Sequence, residues 1–157
     1  RILDETKAAL QKILAERGFD ETVVRAGRII GAMESAFPEA LVNPCGEPLD
    51  LTIRLPDPND EHVIKAAVQT QAQAIVTENI RDFPSDILAP MGIEARTADD
   101  FIADTIELDE GRAVAAIRNL RLRMQRPEMS AEAYLRSLEA HGLLVTASVL
   151  SPHIDSI

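Results

Sequence analysis

The sequence contains little cysteine and fewer basic than acidic residues. It has one cysteine, Cys45, which excludes an internal disulfide and a zinc site built on several cysteines. Lys and Arg number 16 against 26 Asp and Glu, a formal net charge of −10. This balance argues against a general cationic coat for nucleic acid, though not against a local basic patch. Because no apolar run reaches the length of a membrane span and no secretory region is visible, we expect a cytoplasmic protein without membrane contact.

The N-terminal part carries two helical patterns. The chain has 157 residues, of which 46% are hydrophobic, enough for one domain with its own core and a helical appendage. Helices are predicted over residues 2–17 and 20–35, with Asp20 as the N-cap of the second. The apolar residues of that second helix should face inward. They are Val23, Val24, Ile29, Ile30 and Met33.

Residues 40–109 alternate between strand and helix patterns. Short strands are predicted at 40–43, 72–77 and 92–97, and helices at about 60–70, 85–88 and 99–108. Such alternation indicates a parallel sheet covered by helices, and therefore an α/β fold. After Asp109 the pattern is helical, with helices predicted at 111–125, from Ser130 to about 141, and at 144–150. We expect an α/β domain over residues 1–109 and a small C-terminal helical extension over residues 110–157.

Two acidic clusters flank the strand predicted at 72–77. The first covers residues 57–62 at a helix start, and the second covers residues 77–83, just past the carboxyl end of the strand. Ligand crevices of open α/β sheets lie at that end, and converging carboxylates repel each other unless a cation lies between them. Oxygen ligands favour Mg²⁺ or Mn²⁺, which can activate water for phosphodiester hydrolysis. The alternative, that these acids only cap helices, stays open.

The most specific motif lies in residues 55–84, LPDPNDEHVIKAAVQTQAQAIVTENIRDFP. It reads Asp-Pro-x-Asp-x-His-Val, an Ala-rich helix, a strand, and Thr-x-Asn-x-x-Asp-Phe-Pro. This order resembles PIN-domain ribonucleases of the VapC toxin type. Residues 88–102 resemble the last strand and following helix of that family, and residues 2–10 resemble the helix that carries its second acidic ligand. The tail resembles a helical extension found in one branch of these toxins.

The resemblance implies a set of site residues. The implied catalytic and metal-binding acids are Glu5, Asp60 and Asp82, with Asp57 as a neighbour or alternate of Asp60 and Glu61 as a third candidate for the same place. Thr77 and Asn79 would order the loop and hydrogen-bond a carboxylate or a water molecule. PIN domains also begin with a hydrophobic strand that ends in the first acidic ligand, and no such pattern precedes Arg1. We therefore expect weak metal binding and little nuclease activity from residues 1–157 by themselves.

The function implied by the resemblance is that of a metal-dependent endoribonuclease toxin in a bacterial toxin–antitoxin pair. Its cofactor would be Mg²⁺ or Mn²⁺, and its partners would be an antitoxin, an RNA substrate and a second copy of the chain. The alternative is a catalytically inactive PIN-like module that binds RNA or a protein.

Two further predictions concern one histidine and one set of arginines. His62 is expected to be a partly buried packing residue. Arg118, Arg121 and Arg126 fall roughly on one helical face that could meet RNA phosphates, or could equally form a solvated face with salt bridges.

Overall fold

The computed structural model describes residues 1–42, 55–125 and 128–157. Within these ranges the chain forms eight α-helices, two short parallel strands and several 3₁₀ turns. The α-helices are α1 (Ile2–Glu16), α2 (Thr22–Ala36), α3 (Glu61–Thr70), α4 (Ser85–Leu88), α5 (Ala98–Leu108), α6 (Glu110–Leu122), α7 (Ala131–Ala140) and α8 (Leu144–Leu150). The strands are β1 (Ala74–Val76) and β2 (Glu94–Arg96). Pro44, Cys45 and Arg126 lie outside the described residues.

The two N-terminal helices, α1 and α2, pack against each other. The prediction of Asp20 as an N-cap is wrong, because Glu21 occupies that position in a left-handed conformation with φ of 54°. Asp20 instead offers its backbone carbonyl to Nε of Arg25, at 3.0 Å.

The predicted burial along α2 is largely wrong. Of the five residues expected to face inward, Ile30 is buried, together with Ala26. The other four have exposed fractions between 40% and 61%. They are Val23, Val24, Ile29 and Met33. The main partners of α2 among the described residues are α1 and the turn at Pro38–Ala40, and one packed neighbour covers only one stripe of a helix.

The strand predicted at residues 40–43 is also wrong where the structure describes it. Pro38–Ala40 is a 3₁₀ turn, closed by the N–H of Ala40 donating to the carbonyl of Phe37 at 3.0 Å. Leu41 and Val42 belong to no strand, and Asn43 lies outside the described residues. A proline has a fixed φ and no N–H, which suits the start of such a turn.

The two strands pair in parallel, with Ile75 opposite Ala95. Helices α3 and α4 pack on them and close the first core, which confirms the predicted α/β class with a parallel sheet flanked by helices. The buried residues of this core are Leu55, Ile64, Ala67, Ile75, Phe83, Leu88 and Ile93. The loop that carries the second acidic cluster leaves the carboxyl end of β1.

The C-terminal helices form a second core around α5. Its buried residues are Ile106, Val114, Leu135, Leu150 and Ile157. Helix α5 is tied to α8 because the carboxylate of Asp99 accepts the backbone N–H groups of Val145 and Thr146, both at 2.8 Å. The predicted boundary at residue 109 stays a prediction. No helix in the described part of the chain is long and apolar enough to cross a membrane.

Candidate metal centre

The turn before α3 supplies the first two carboxylates. Asp57 accepts hydrogen bonds at Oδ1 from the backbone N–H of Asn59, at 2.8 Å, and from its side-chain amide, at 3.0 Å. These bonds close the 3₁₀ turn at Pro58–Asp60. Asp60 precedes the first residue of α3 without capping the helix through its side chain. The turn therefore presents two carboxylates, neither of which is used to cap α3.

The loop after β1 supplies the third carboxylate. Thr77 Oγ1 accepts the backbone N–H of Asn79 at 3.1 Å, which folds the chain back immediately after the strand. The side-chain amide of Asn79 donates to Asp82 Oδ2, and Asp82 ends the 3₁₀ turn at Ile80–Asp82. The threonine and the asparagine thus fix the loop that carries the aspartate.

The three aspartates form one cluster. Asp57, Asp60 and Asp82 each offer one carboxylate oxygen within 4.8 Å of the others, and all three side chains are partly exposed. No other such group of acids, histidines or cysteines occurs among the described residues. Burial raises the pKa of Asp60, and repulsion from Asp57 and Asp82 raises it further. A bound cation would remove this repulsion, and a set of carboxylate oxygens suits a hard divalent ion.

Glu5 lies beside this cluster rather than within it. Its Oε1 accepts from Nε of Arg1 at 2.9 Å, and its Oε2 lies 3.1 Å from Nε2 of His62. The hydrogen bond from Arg1 is the largest influence on the Glu5 carboxyl and lowers its pKa. Glu5 is still near enough for its charge to add to the repulsion felt by Asp60.

The sequence model of the PIN domain family matches residues 1–81, more than half of the chain. The chain belongs to the PIN domain family. A second family model, the VapC50 C-terminal domain, matches residues 98–152, from the start of α5 to just past α8. These matches confirm the resemblance drawn from the motif in residues 55–84.

One curated relative of this PIN protein is "Putative ribonuclease VapC50" of Mycobacterium tuberculosis (strain ATCC 25618 / H37Rv). The two are 45% identical over 58 residues, which cover 37% of this chain and 34% of the relative. The aligned part thus spans about a third of the length of the relative. No solved structure matches the chain.

Three acids near the start of α3 were alternatives for one metal-ligand position, and two of them belong to the aspartate cluster. They are Asp57 and Asp60. Glu61 instead pairs with Lys65 on the next turn of the helix, at 2.9 Å. The roles of Asp57 and Asp60 as metal ligands stay predictions.

His62 is the site residue that sequence reasoning missed. Its side chain is 16% exposed, so the expectation of partial burial agrees with the structure. However, both ring nitrogens make polar contacts, one with the carbonyl of Asn59 and one with Glu5, 57 residues away. The available signal was the place of His62 in the first turn of α3, two residues after Asp60. A pattern along the chain could not reveal a partner on α1.

The three arginines of the predicted RNA-binding face differ in their surroundings. Arg118 is exposed on α6, and Arg126 lies outside the described residues. Arg121 donates from Nη1 to the carbonyl of Met129 at 2.7 Å, while its Nε is buried without a hydrogen-bond partner. This geometry favours a role for Arg121 in anchoring the connection to α7. RNA contact through the predicted face stays a prediction.

Proposed function

We propose that this protein is a metal-dependent endoribonuclease in which Asp57, Asp60 and Asp82 bind Mg²⁺ or Mn²⁺. The observation that carries the proposal is the aspartate cluster at the end of β1 in a PIN domain. The name of the curated relative, a ribonuclease, supports the same substrate class. Glu5, beside the cluster, would complete the acidic site.

Each residue has a distinct task in this proposal. The bound ion would polarise the phosphate and lower the pKa of an attacking water molecule. Asp57, Asp60 and Asp82 would hold the ion, and Asn79 would orient the carboxylate of Asp82 through its amide. Thr77 would keep the loop closed. Because all three aspartates are partly exposed, an RNA backbone could approach them without a large rearrangement.

We propose that the partners are an antitoxin and a second copy of the chain, as in a bacterial toxin–antitoxin pair acting in the cytoplasm. The exposed apolar residues of α1 and α2 support a protein contact at the N-terminal helices, because several of them cluster on two packed helices. A basic side chain of an antitoxin could pair with the aspartates in place of a cation.

A second candidate function is a PIN-like module that binds without cleaving. One observation favours it: Arg1 pairs with Glu5 at 2.9 Å and thereby occupies one of its oxygens. A carboxylate held by an arginine is less available as a ligand for a cation. This candidate predicts RNA or protein binding that does not depend on Mn²⁺.

Cleavage of RNA tests the proposal. Residues 1–157 should cut a structured fluorogenic RNA slowly in the presence of Mn²⁺, in keeping with the weak metal binding expected of them, and EDTA should stop the reaction. Asp82→Asn should reduce the rate by at least about a hundredfold, because it removes a fixed negative ligand while preserving the shape of the side chain. Asp155→Asn, the same change at an exposed position outside the cluster, is the matched control and should retain full activity.

Two results would count against the proposal. Equal rates for Asp82→Asn and the unchanged protein would remove the cluster from the reaction. Binding of RNA without Mn²⁺-dependent cleavage would favour the inactive binding module.

A further inference from the structure

One histidine connects the helix that carries Glu5 with the turn that carries the aspartates. His62 Nδ1 lies 2.7 Å from the carbonyl oxygen of Asn59, and Nε2 lies 3.1 Å from Oε2 of Glu5. The carbonyl oxygen of Asn59 and the carboxylate of Glu5 can only accept hydrogen bonds, so the ring joins them only when Nδ1 and Nε2 both carry a proton. The backbone of the turn at Pro58–Asp60 therefore fixes the ring, and the ring directs Nε2 at Glu5.

Arg1 makes a parallel set of contacts with the same two residues. It donates from Nε to Glu5 Oε1 at 2.9 Å and from Nη2 to the Asn59 carbonyl at 3.1 Å. The two restraints differ in exposure, since the side chain of Arg1 is 57% exposed and that of His62 is 16% exposed. Exposed ion pairs contribute little because solvent screens them. Arg1 has the larger effect on the Glu5 charge, but the ring of His62 is mostly buried and has less freedom to move, which makes it the more rigid restraint.

We infer that His62 is a positioning residue of the metal centre: anchored on Asn59, it holds the Glu5 carboxylate beside Asp57, Asp60 and Asp82. The inference rests on the proposed function, because it concerns the same site. Glu5 comes from α1, whereas the three aspartates come from the turn before α3 and the loop after β1. Without a fixed contact between these elements, the exposed Glu5 side chain would sample several rotamers away from the cluster. Loss of a contact that orients a metal ligand typically weakens metal affinity by about tenfold or more.

Two substitutions separate the two contacts of the ring. The amide nitrogen of a glutamine reaches about as far as Nε2, so His62→Gln can still donate to Glu5. The amide of an asparagine reaches only as far as Nδ1, so His62→Asn keeps the contact with Asn59 and loses the one with Glu5. Calorimetric titration with Mn²⁺ should show affinity about tenfold weaker for His62→Asn and nearly unchanged for His62→Gln. His153→Asn, at a histidine that pairs with Glu110 at 3.7 Å, is the control and should bind as the unchanged protein does.

A double-mutant cycle shows whether His62 acts through Glu5. Glu5→Gln should weaken Mn²⁺ binding, and adding His62→Asn to it should cause no further loss. Losses that multiply would mean that His62 acts elsewhere, and they would overturn the inference. If His62→Asn does not fold, the ¹⁵N chemical shifts of the imidazole decide instead. The His62 Nε2 shift should change in Glu5→Gln and stay unchanged in Asp155→Asn, and an unchanged shift in Glu5→Gln would overturn the inference.

The same experiments distinguish failure of the inference from failure of the proposed function. Absence of Mn²⁺ binding by the unchanged protein would overturn both. Mn²⁺ binding with independent effects of His62 and Glu5 would overturn the positioning role alone. Coupled effects on Mn²⁺ binding in a protein that does not cleave RNA would support the positioning role and overturn the hydrolytic function.

Discussion

At the scale of single residues, Asp60 and Asp99 exemplify two kinds of carboxylate with opposite electrostatics. Asp60 faces other carboxylates, and its burial together with their repulsion raises its pKa. Asp99 faces backbone donors instead: burial raises its pKa, but the N–H groups of Thr146 and Val145 outweigh that effect and lower it. The first kind destabilises the folded protein at neutral pH unless a cation is bound, and the second stabilises it.

Asp60→Asn should stabilise the metal-free protein at neutral pH. A folded-state pKa above the unfolded one means that the folded protein loses stability as pH rises through this range, and Asn removes that loss. The gain should be at most about 1 kcal/mol, because the site is open to solvent. It should shrink as pH falls through the raised pKa toward the ordinary aspartate range. Thermal unfolding in EDTA, repeated at intervals of about one pH unit from about pH 4 to about pH 8, measures the stability difference between Asp60→Asn and the unchanged protein. A lower melting temperature for Asp60→Asn at pH 7 would show that its charge is already compensated.

The sequence alone predicts which acids belong to the proposed site but not their geometry. The motif in residues 55–84 places Asp57, Asp60 and Asp82 on either side of one strand, so their approach follows from local connections. Glu5 reaches them only through packing of α1 against the turn before α3, and the pairing with His62 is a contact across 57 residues. Such a contact has no periodicity along the chain, so the sequence gives no sign that His62 pairs with Glu5.

At the scale of elements, a local side-chain cap predicts the start of α7, where Ser130 accepts the N–H of Ala133. Thr97 caps α5 in the same way by accepting the N–H of Asp100, but the pattern assigns Thr97 to the preceding strand and so predicts a start at residue 99, one residue late. Helix α2 lacks a side-chain cap, and its start was placed at the wrong residue. The strand predicted at 40–43 is absent from its described part, because Ala40 closes the 3₁₀ turn that Pro38 begins and Leu41 and Val42 pair with no described strand. A side chain close in sequence thus fixes the start of each capped helix, whereas the bounds of the other elements depend on tertiary packing.

Helix α8 depends on a cap from another helix. Its start has no side-chain cap of its own, and Asp99 on α5 supplies the acceptor for Val145 and Thr146. Asp99→Ala should therefore lower the melting temperature at neutral pH. Because the folded-state pKa of Asp99 is lowered, this contribution is present above the ordinary aspartate range and is lost as pH falls through the folded pKa.

Unfolding of Asp99→Ala at pH 7 and at acid pH checks this prediction. Glu107→Ala, an exposed acid on the same helix, is the control and should unfold as the unchanged protein does. A deficit in Asp99→Ala that persists undiminished below the aspartate range would mean that packing, not the charge-assisted cap, carries the effect.

At the scale of the whole molecule, two cores divide the described residues. The first surrounds β1 and β2, and the second joins α5 with the C-terminal helices. The PIN family match ends at residue 81 and the second family match begins at residue 98. We propose that residues 1–109 and 110–157 act as domain and extension, with α5 as the helix that connects them through Ile106.

The exposed apolar side chains of α1 and α2 predict self-association. Val23 is 61% exposed, and its neighbours along α2 remain accessible. Light scattering at micromolar concentration should give the mass of a dimer, and Val23→Glu should shift it toward a monomer by placing a charge in the contact. Leu108→Glu, at a more exposed position on α5, is the control and should leave the dimer intact. A monomer at all concentrations would remove the N-terminal helices as a dimer interface.

The proposed function requires that three aspartates from two neighbouring loops, Asp57, Asp60 and Asp82, bind one divalent cation. Anomalous diffraction from crystals grown with Mn²⁺ tests this claim most directly, because it locates the metal itself. We expect an anomalous peak between Asp57, Asp60 and Asp82, within coordination distance of one carboxylate oxygen of each. The same crystals of Asp82→Asn should show a much weaker peak. A peak at another place among the described residues, or none at saturating Mn²⁺, would contradict the account.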